Sequence, residues 1–168
     1  MHRSETSSSA TRREFLQRSS TLAAAATILG GSASAFHLAD DNTIRLALIG
    51  CGGRGTGAVG NALKTRSQGP IQLYAMADLR RQVLDTALKK LRSNREHKNQ
   101  IDVTPDRQFV GFDAYKRAID ILRPGDIAMC TTRAYIRPLH VEYAVQKGIH
   151  VFMEKRFAPD PMGLHRML

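Results

Sequence analysis

The chain has 168 residues with a formal net charge of +10, two cysteines and no tryptophan. The positive charge would attract nucleic acid, but the sequence contains no zinc finger and no basic tract interleaved with aromatic residues, so we expect no nucleic-acid partner. The two cysteines form no C-x-x-C pair, which argues against a zinc site, and we expect no bound metal.

Residues 1–35 show the order of features that is typical of an export signal. A twin-arginine pair, Arg12-Arg13, precedes an apolar run, Leu22–Leu29, and a small-residue cleavage site, Ala33-Ser34-Ala35. The apolar run is far shorter than the roughly 20 residues that span a bilayer, so we expect no stable membrane span. An ordinary N-terminal helix is the alternative. The sequence therefore predicts a twin-arginine signal peptide over 1–35, export by the Tat machinery to the periplasm or otherwise out of the cytoplasm, and a mature domain over 36–168.

The mature region opens with a short apolar strand that runs into a glycine-rich turn. Gly50, Gly52 and Gly55 follow Ile44–Ile49 in the spacing G-x-G-x-x-G. Gly50 allows a sharp turn, Gly52 lets backbone approach a phosphate, and Gly55 lets the next helix pack close to the strand. A plain strand–helix turn is the alternative. The predicted pyrophosphate site comprises Gly50, Cys51, Gly52, Gly53, Arg54 and Gly55.

The second predicted strand, Ile71–Ala77, ends at an acidic residue. Asp78 lies near the distance from the glycine turn at which a carboxylate accepts a hydrogen bond from an adenosine ribose. Such a carboxylate favours NAD, but Arg80 could pair with a 2′-phosphate, so the choice between NAD and NADP stays open. The alternative role for Asp78 is an N-cap of the next helix, predicted from about Leu79 to His97.

Further strands and helices alternate along the rest of the chain. Phe109-Val110 is a candidate third strand, and Asp113 is a good N-cap for the helix that follows it. Ile127–Cys130 is a continuous apolar run, as in a parallel strand buried on both faces, and Thr131-Thr132 closes it at the sheet edge where ligands bind. A helix from Pro138 to Lys147 and a fifth strand, His150–Met153, then deliver Glu154-Lys155 to the same edge.

About five alternations of strand and helix predict the fold class. We expect an α/β domain with a doubly wound parallel sheet of the Rossmann type. Two further features have plain interpretations. The basic residues of the second helix form a solvated face, and Cys51 and Cys130 are buried thiols, although a disulfide between neighbouring strands is conceivable in an oxidising compartment.

With these motifs, the region 44–168 resembles the cofactor domain of the Gfo/Idh/MocA oxidoreductases. The resemblance depends on the glycine turn, on Asp78 and above all on the segment from His140 to Glu154-Lys155. It implies an NAD or NADP cofactor and hydride transfer to or from a sugar or cyclitol hydroxyl, with Lys155 as the catalytic residue beside the nicotinamide. The further cofactor contacts that it implies are Thr131, Thr132, His140, Glu154 and Lys155.

The sequence departs from the family pattern at three places. Arg156 stands where the family has proline, and Arg133 and Arg137 occupy a loop that is proline-rich in relatives. Family members also continue into a second α/β domain that binds substrate and carries the acid/base residue, which we expect to be absent here. A separate substrate domain or subunit is then the expected partner. The alternatives are a cofactor- or partner-binding fragment without turnover, which an apolar face on the last helix would favour, and a poorly folded remnant.

Overall fold

The computed structural model describes residues 42–167. The predicted signal peptide and its twin-arginine motif lie outside the described residues, as does Leu168. Within 42–167, no helix combines the length and the apolar character that a membrane span requires.

Five parallel strands form one sheet in the order β3-β2-β1-β4-β5. After β3 the chain returns to the middle of the sheet, so that β4 lies beside β1 and Cys130 pairs with Ile49. The chain direction across the sheet therefore reverses between β1 and β4, which confirms the predicted doubly wound sheet. The strands are β1 (Ile44–Ile49), β2 (Ile71–Asp78), β3 (Gln108–Val110), β4 (Ile127–Cys130) and β5 (His150–Met153).

Helices cover both faces of the sheet and create two cores. Strand β1 alternates between them, with Leu46 and Leu48 facing one core and Ala47 and Ile49 facing the other. The first core packs against α1 (Gly53–Leu63) and α2 (Arg81–Ser93), and the second packs against α3 (Ala114–Asp120) and α4 (Arg137–Gln146). A last helix, α5 (Pro161–Met167), contacts α4.

Three local expectations need correction. The helix predicted from Leu79 to His97 begins at Arg81 and ends at Ser93, and Arg80, not Asp78, is its N-cap residue. Asp113 is the N-cap residue of α3, as predicted, but its side chain makes no capping hydrogen bond and instead pairs with Lys116 at 3.3 Å. In α5, Met162 is exposed whereas Met167 packs against the second core, so the apolar residues of this helix do not share one free face.

The two cysteines are separate buried thiols. Burial and, to a smaller extent, the charge of Asp78 raise the pKa of Cys51, whose Sγ donates to the Ala77 carbonyl at 3.5 Å. Burial raises the pKa of Cys130 to about 12. Both side chains are therefore protonated near neutral pH, and they behave as small apolar residues.

Candidate functional site

The glycine turn after β1 has the backbone geometry that the motif predicts. Gly50 adopts a φ of +95°, in the region that favours glycine. A Cβ atom on Gly55 would lie 2.2 Å from the Gly50 carbonyl oxygen and 2.4 Å from Thr131 Oγ1, so only glycine lets α1 begin this close to β4. A Cβ atom on Gly52 would meet nothing within 4 Å, which leaves the backbone open to an approaching ligand.

The first turn of α1 offers donors to an anion. Its N-cap residue is Gly52, no side chain caps the helix, and the first turn contains no acidic residue. The N–H groups at a helix start lack partners within the helix and carry the positive end of its dipole. A phosphate group fits this position because it would accept from these N–H groups and be attracted by the dipole.

Asp78 lies at the end of β2, beside the glycine turn. One carboxylate oxygen accepts from the Cys51 N–H at 2.7 Å, and the other accepts from the Arg80 N–H at 2.9 Å. The carboxylate thus fixes the turn after β1 to the turn after β2. Each of its oxygens still has a second lone pair, which leaves acceptor capacity toward the cleft for a hydroxyl donor.

Beyond β4, a hydroxyl and an imidazole form a buried pair. Thr132 Oγ1 and His140 Nδ1 are 3.1 Å apart, and the His140 ring lies against Tyr115 with 4.3 Å between centroids. Burial, aided by the charge of Arg137, lowers the pKa of His140 to about 4. The imidazole is therefore neutral at physiological pH. Thr131 Oγ1 donates to the Gly50 carbonyl at 2.7 Å and ties the end of β4 to the glycine turn.

A buried arginine joins the ends of β4 and β5. The Arg137 guanidinium is only 3% exposed and donates to the carbonyl oxygens of Thr132, Glu154 and Arg156. Burial lowers the pKa of Arg137, although a guanidinium stays charged at any physiological pH. The sequence predicts Arg137 only as an added charge on a loop, and its role in bracing the strand ends becomes visible only in the fold. The available signal was an arginine in the first turn of a helix, where the dipole disfavours a cation.

These turns surround one cleft of about 800 Å³ at the carboxyl edge of the sheet, centred between β1 and β4. It brings together residues as far apart in sequence as Ile49 and Arg156. The sequence-predicted residues that line it are Gly50, Gly52, Arg54, Asp78, Arg80, Thr131, Thr132, His140 and Lys155. Within the described part of the chain, no group of three or more His, Cys, Asp or Glu side chains could hold a metal ion.

Four other predicted residues do not line the cleft. Cys51 and Gly55 are buried beneath the turn, and Gly53 is exposed outside the cleft. Glu154 lies in a separate groove beside α1, where it pairs with Arg54 at 3.1 Å. The cleft also has apolar walls that the sequence analysis missed, namely Leu79, Phe112 and Tyr135, which are all strongly exposed. All three residues lie in turns, where the sequence has no periodic pattern. Their position in the cleft is set by the sheet topology.

The strand order and the cleft at the switch point define a Rossmann-type α/β domain. No protein-family model and no curated protein sequence matches the chain. Solved structures share its fold. A WlbA dehydrogenase from Bordetella pertussis, solved with NADH and UDP-GlcNAcA, has a TM-score of 0.56 at 22% identity, and a myo-inositol 2-dehydrogenase from Lactobacillus plantarum has 0.53 at 23%. A levoglucosan dehydrogenase solved with NADH has 0.51 at 16%.

Each of these matches covers 74% of this chain but only about a third of the other protein, 32% for the first two and 31% for the third. At such identities the likeness shows the fold of the domain.

Proposed function

We propose that the cleft binds NAD or NADP and that this chain is the cofactor domain of an oxidoreductase of the Gfo/Idh/MocA type. The observation that carries the proposal is the convergence of the open glycine turn, Asp78 and Lys155 on one cleft at the switch point of the sheet. The fold shared with dehydrogenases that were solved with NADH supports it.

In this proposal each end of the cleft has a separate task. The N–H groups at the start of α1 bind the pyrophosphate, and Asp78 accepts from a ribose hydroxyl. Leu79 and Phe112, at the ends of β2 and β3, supply apolar surface for the adenine. The other half of the ligand then extends past β1 toward Thr131, Thr132 and Lys155.

The reaction that we propose is the reversible oxidation of a sugar or cyclitol hydroxyl. The bound nicotinamide supplies the hydride acceptor. Lys155 donates a hydrogen bond to the substrate oxygen and stabilises negative charge that develops there. Among the cleft-lining residues within 42–167, Asp78 is the only carboxylate and belongs to the adenosine end, while His140 is buried against Thr132. We therefore expect a separate substrate domain or subunit to supply the base, and this chain alone to turn over poorly.

Titration with NADH and NADPH tests the cofactor proposal. The chain has no tryptophan, so nicotinamide fluorescence is measured over a low background. We expect saturable binding of at least one dinucleotide and its loss in Gly52→Val, because the new side chain would occupy the open approach to the turn. Gly57→Val is the matched control, since Gly57 also has no neighbour within 4 Å but does not line the cleft. A folded chain that binds neither dinucleotide would refute the proposal.

A binding module without turnover is the second candidate. The observation that favours it is the exposure of Met162 and Leu164 on α5, two apolar side chains that a partner could cover although Met167 of the same helix packs against the second core. Dinucleotide binding with no sugar-dependent reduction of NAD or NADP, even after addition of candidate partner domains, would favour this function over the oxidoreductase.

We also propose that the twin-arginine leader directs export through the Tat machinery to the periplasm. The support is the sequence pattern of residues 1–35. This pathway carries folded proteins, which suits a protein that takes up its cofactor in the cytoplasm. Cell fractionation of the full chain tests the proposal, with Arg12→Lys/Arg13→Lys as the disabling variant. Equal periplasmic amounts of both proteins would contradict it.

A further inference from the structure

The end of the cleft beside β4 and β5 carries three cations without acidic partners. Arg133 follows β4, Lys155 and Arg156 follow β5, and all three line the cleft. None of the three side chains forms an ion pair or a hydrogen bond with another residue in the described part of the chain. Glu154, the acid next to Lys155 in sequence, lies in the groove beside α1 and is engaged by Arg54.

The backbone contacts of Arg137 bring together the two loops that carry these three cations. One guanidinium binds the carbonyl oxygens of Thr132, Glu154 and Arg156, so the loops that carry Arg133, Lys155 and Arg156 meet at a single buried group. Arg137 adds its own positive charge, because its hydrogen-bond acceptors are neutral carbonyls. Its Nε is buried and has no acceptor among the described residues. Four positively charged side chains therefore line this end of the cleft.

The cofactor would not offset this charge. In the proposed orientation its pyrophosphate lies at the glycine turn after β1, and its adenosine lies toward Asp78 and Arg80 after β2. The cations after β4 and β5 are on the opposite side of β1, where the nicotinamide half lies, and a nicotinamide ring carries no negative charge.

We infer that this end of the cleft is an anion subsite, formed by Arg133 and Arg156 beside Lys155, for a carboxylate or phosphate group of the substrate. The substrate class is then an acidic polyol, either a sugar acid or a sugar phosphate. The inference rests on the proposed function, because that function places the substrate beside Lys155. Two guanidinium groups suit either oxyanion, since each donates paired N–H groups in a planar fork.

Calorimetric titration of the full chain, saturated with NADH, tests the subsite. The probes are D-glucuronate, D-glucose 6-phosphate and neutral D-glucose at low and at moderate salt. We expect one of the charged probes to bind at least about tenfold more tightly than glucose, and the preferred probe distinguishes carboxylate from phosphate. Arg133→Gln and Arg156→Gln should each weaken that binding by about tenfold or more, because each removes charge-assisted hydrogen bonds.

The matched control is Arg95→Gln, which makes the same charge change at an exposed position outside the cleft. We expect it to leave binding of the charged probe unchanged. Equal binding of charged and neutral sugars would overturn the inference, and so would an equal loss in Arg95→Gln, which would mean non-specific attraction.

Failure of the cofactor proposal is a separate result. If the folded chain binds no NADH, the same probes are titrated without it. Binding of a charged probe that depends on Arg133 and Arg156 but survives Gly52→Val would then support the anion subsite alone. Absence of such binding would overturn it.

Discussion

Gly50, Gly55 and Thr131 form the tightest packing in the site. The Thr131 hydroxyl donates to the Gly50 carbonyl, and the space that a Cβ on Gly55 would need is occupied by those same two oxygen atoms. The obstacle is partly backbone, which cannot rotate away as a flexible side chain could. Close packing at a single residue therefore determines how near α1 lies to the end of β4.

Gly55→Ala should destabilise the protein by about 2–4 kcal/mol, because the methyl group would force the turn and β4 apart. Gly57→Ala is the matched control in the same helix, where a Cβ meets nothing within 4 Å. We expect this control to raise stability by about 0.5–1 kcal/mol through better helix propensity. Urea unfolding followed by circular dichroism measures both. Equal effects of the two substitutions would show that Gly55 is not a packing requirement.

His140 should make stability depend on pH. Its pKa falls from 6.5 to about 4 on folding, mainly through burial. Between these values the unfolded chain binds more protons than the folded one, so the free energy of unfolding decreases as the pH is lowered from about 6.5 toward 4. We expect a contribution of about 2 kcal/mol between pH 7 and pH 5, by linkage from the two pKa values.

The comparison with His140→Asn isolates this contribution. Asparagine keeps a polar group beside Thr132 but does not titrate, so the variant should lose less stability between pH 7 and pH 5 than the parent protein. Urea titrations at the two pH values measure the difference. If the two proteins lose the same amount, the imidazole is already protonated in the folded state or is accessible to solvent.

At the scale of elements, two buried charges fix the opposite ends of β4. Before the strand, Asp126 is 2% exposed, and its carboxylate accepts hydrogen bonds from the backbone N–H groups of Arg45 and Arg123 at 2.9 and 2.8 Å. After the strand, Arg137 binds the carbonyls of Thr132, Glu154 and Arg156. Strand ends leave backbone groups without ladder partners, and each charged side chain satisfies several of them at once.

Arg137→Met should therefore lower the free energy of unfolding by about 3–5 kcal/mol, because it removes the charged donor and leaves buried carbonyls without partners. Arg137→Lys keeps a charge with a more compact donor group, and we expect it to lose about half as much. Arg133→Met, at an exposed position in the loop that leads into α4, is the control, with an expected change within about 0.5 kcal/mol. Urea unfolding measures all three. An equal, small effect of Arg137→Met and Arg133→Met would contradict the bracing role.

The sequence predicted elements well where periodicity and glycine spacing report on local structure. The strand before the glycine turn, the parallel strand at Ile127–Cys130 and the order of alternation are present as expected. Residues whose roles depend on distant partners were not predictable. Arg137 binds backbone carbonyls at the edge of the sheet that only the fold brings together. Glu154 forms an ion pair with Arg54, a hundred residues earlier in the sequence. Asp78 is adjacent to a helix start, yet its shortest hydrogen bond, at 2.7 Å, comes from the Cys51 N–H in the turn after another strand.

Across the whole molecule, the single sheet separates two cores that share β1, β2 and β4. All four tyrosines lie outside the α1–α2 core, and Tyr74, Tyr115 and Tyr143 belong to or pack against the α3–α4 core. Near-ultraviolet circular dichroism therefore reports mainly on one face of the sheet, whereas far-ultraviolet circular dichroism reports on helices of both faces. Because the strands contribute side chains to both cores, we expect residues 42–167 to unfold as one cooperative unit.

Leu84→Ala tests this cooperativity, since Leu84 is fully buried in the α1–α2 core, on the opposite face of the sheet from Tyr74, Tyr115 and Tyr143. The truncation should cost about 2–5 kcal/mol and shift the urea midpoint of both spectroscopic signals by the same amount. Val145→Ala, at an exposed position in α4, is the control, with little expected change. If Leu84→Ala moved only the far-ultraviolet transition, the two faces would unfold separately. The residues of the cleft come from turns attached to both faces, so opening of the less stable face would then destroy the cleft. Ligand binding can therefore stabilise the whole domain only if the two transitions coincide.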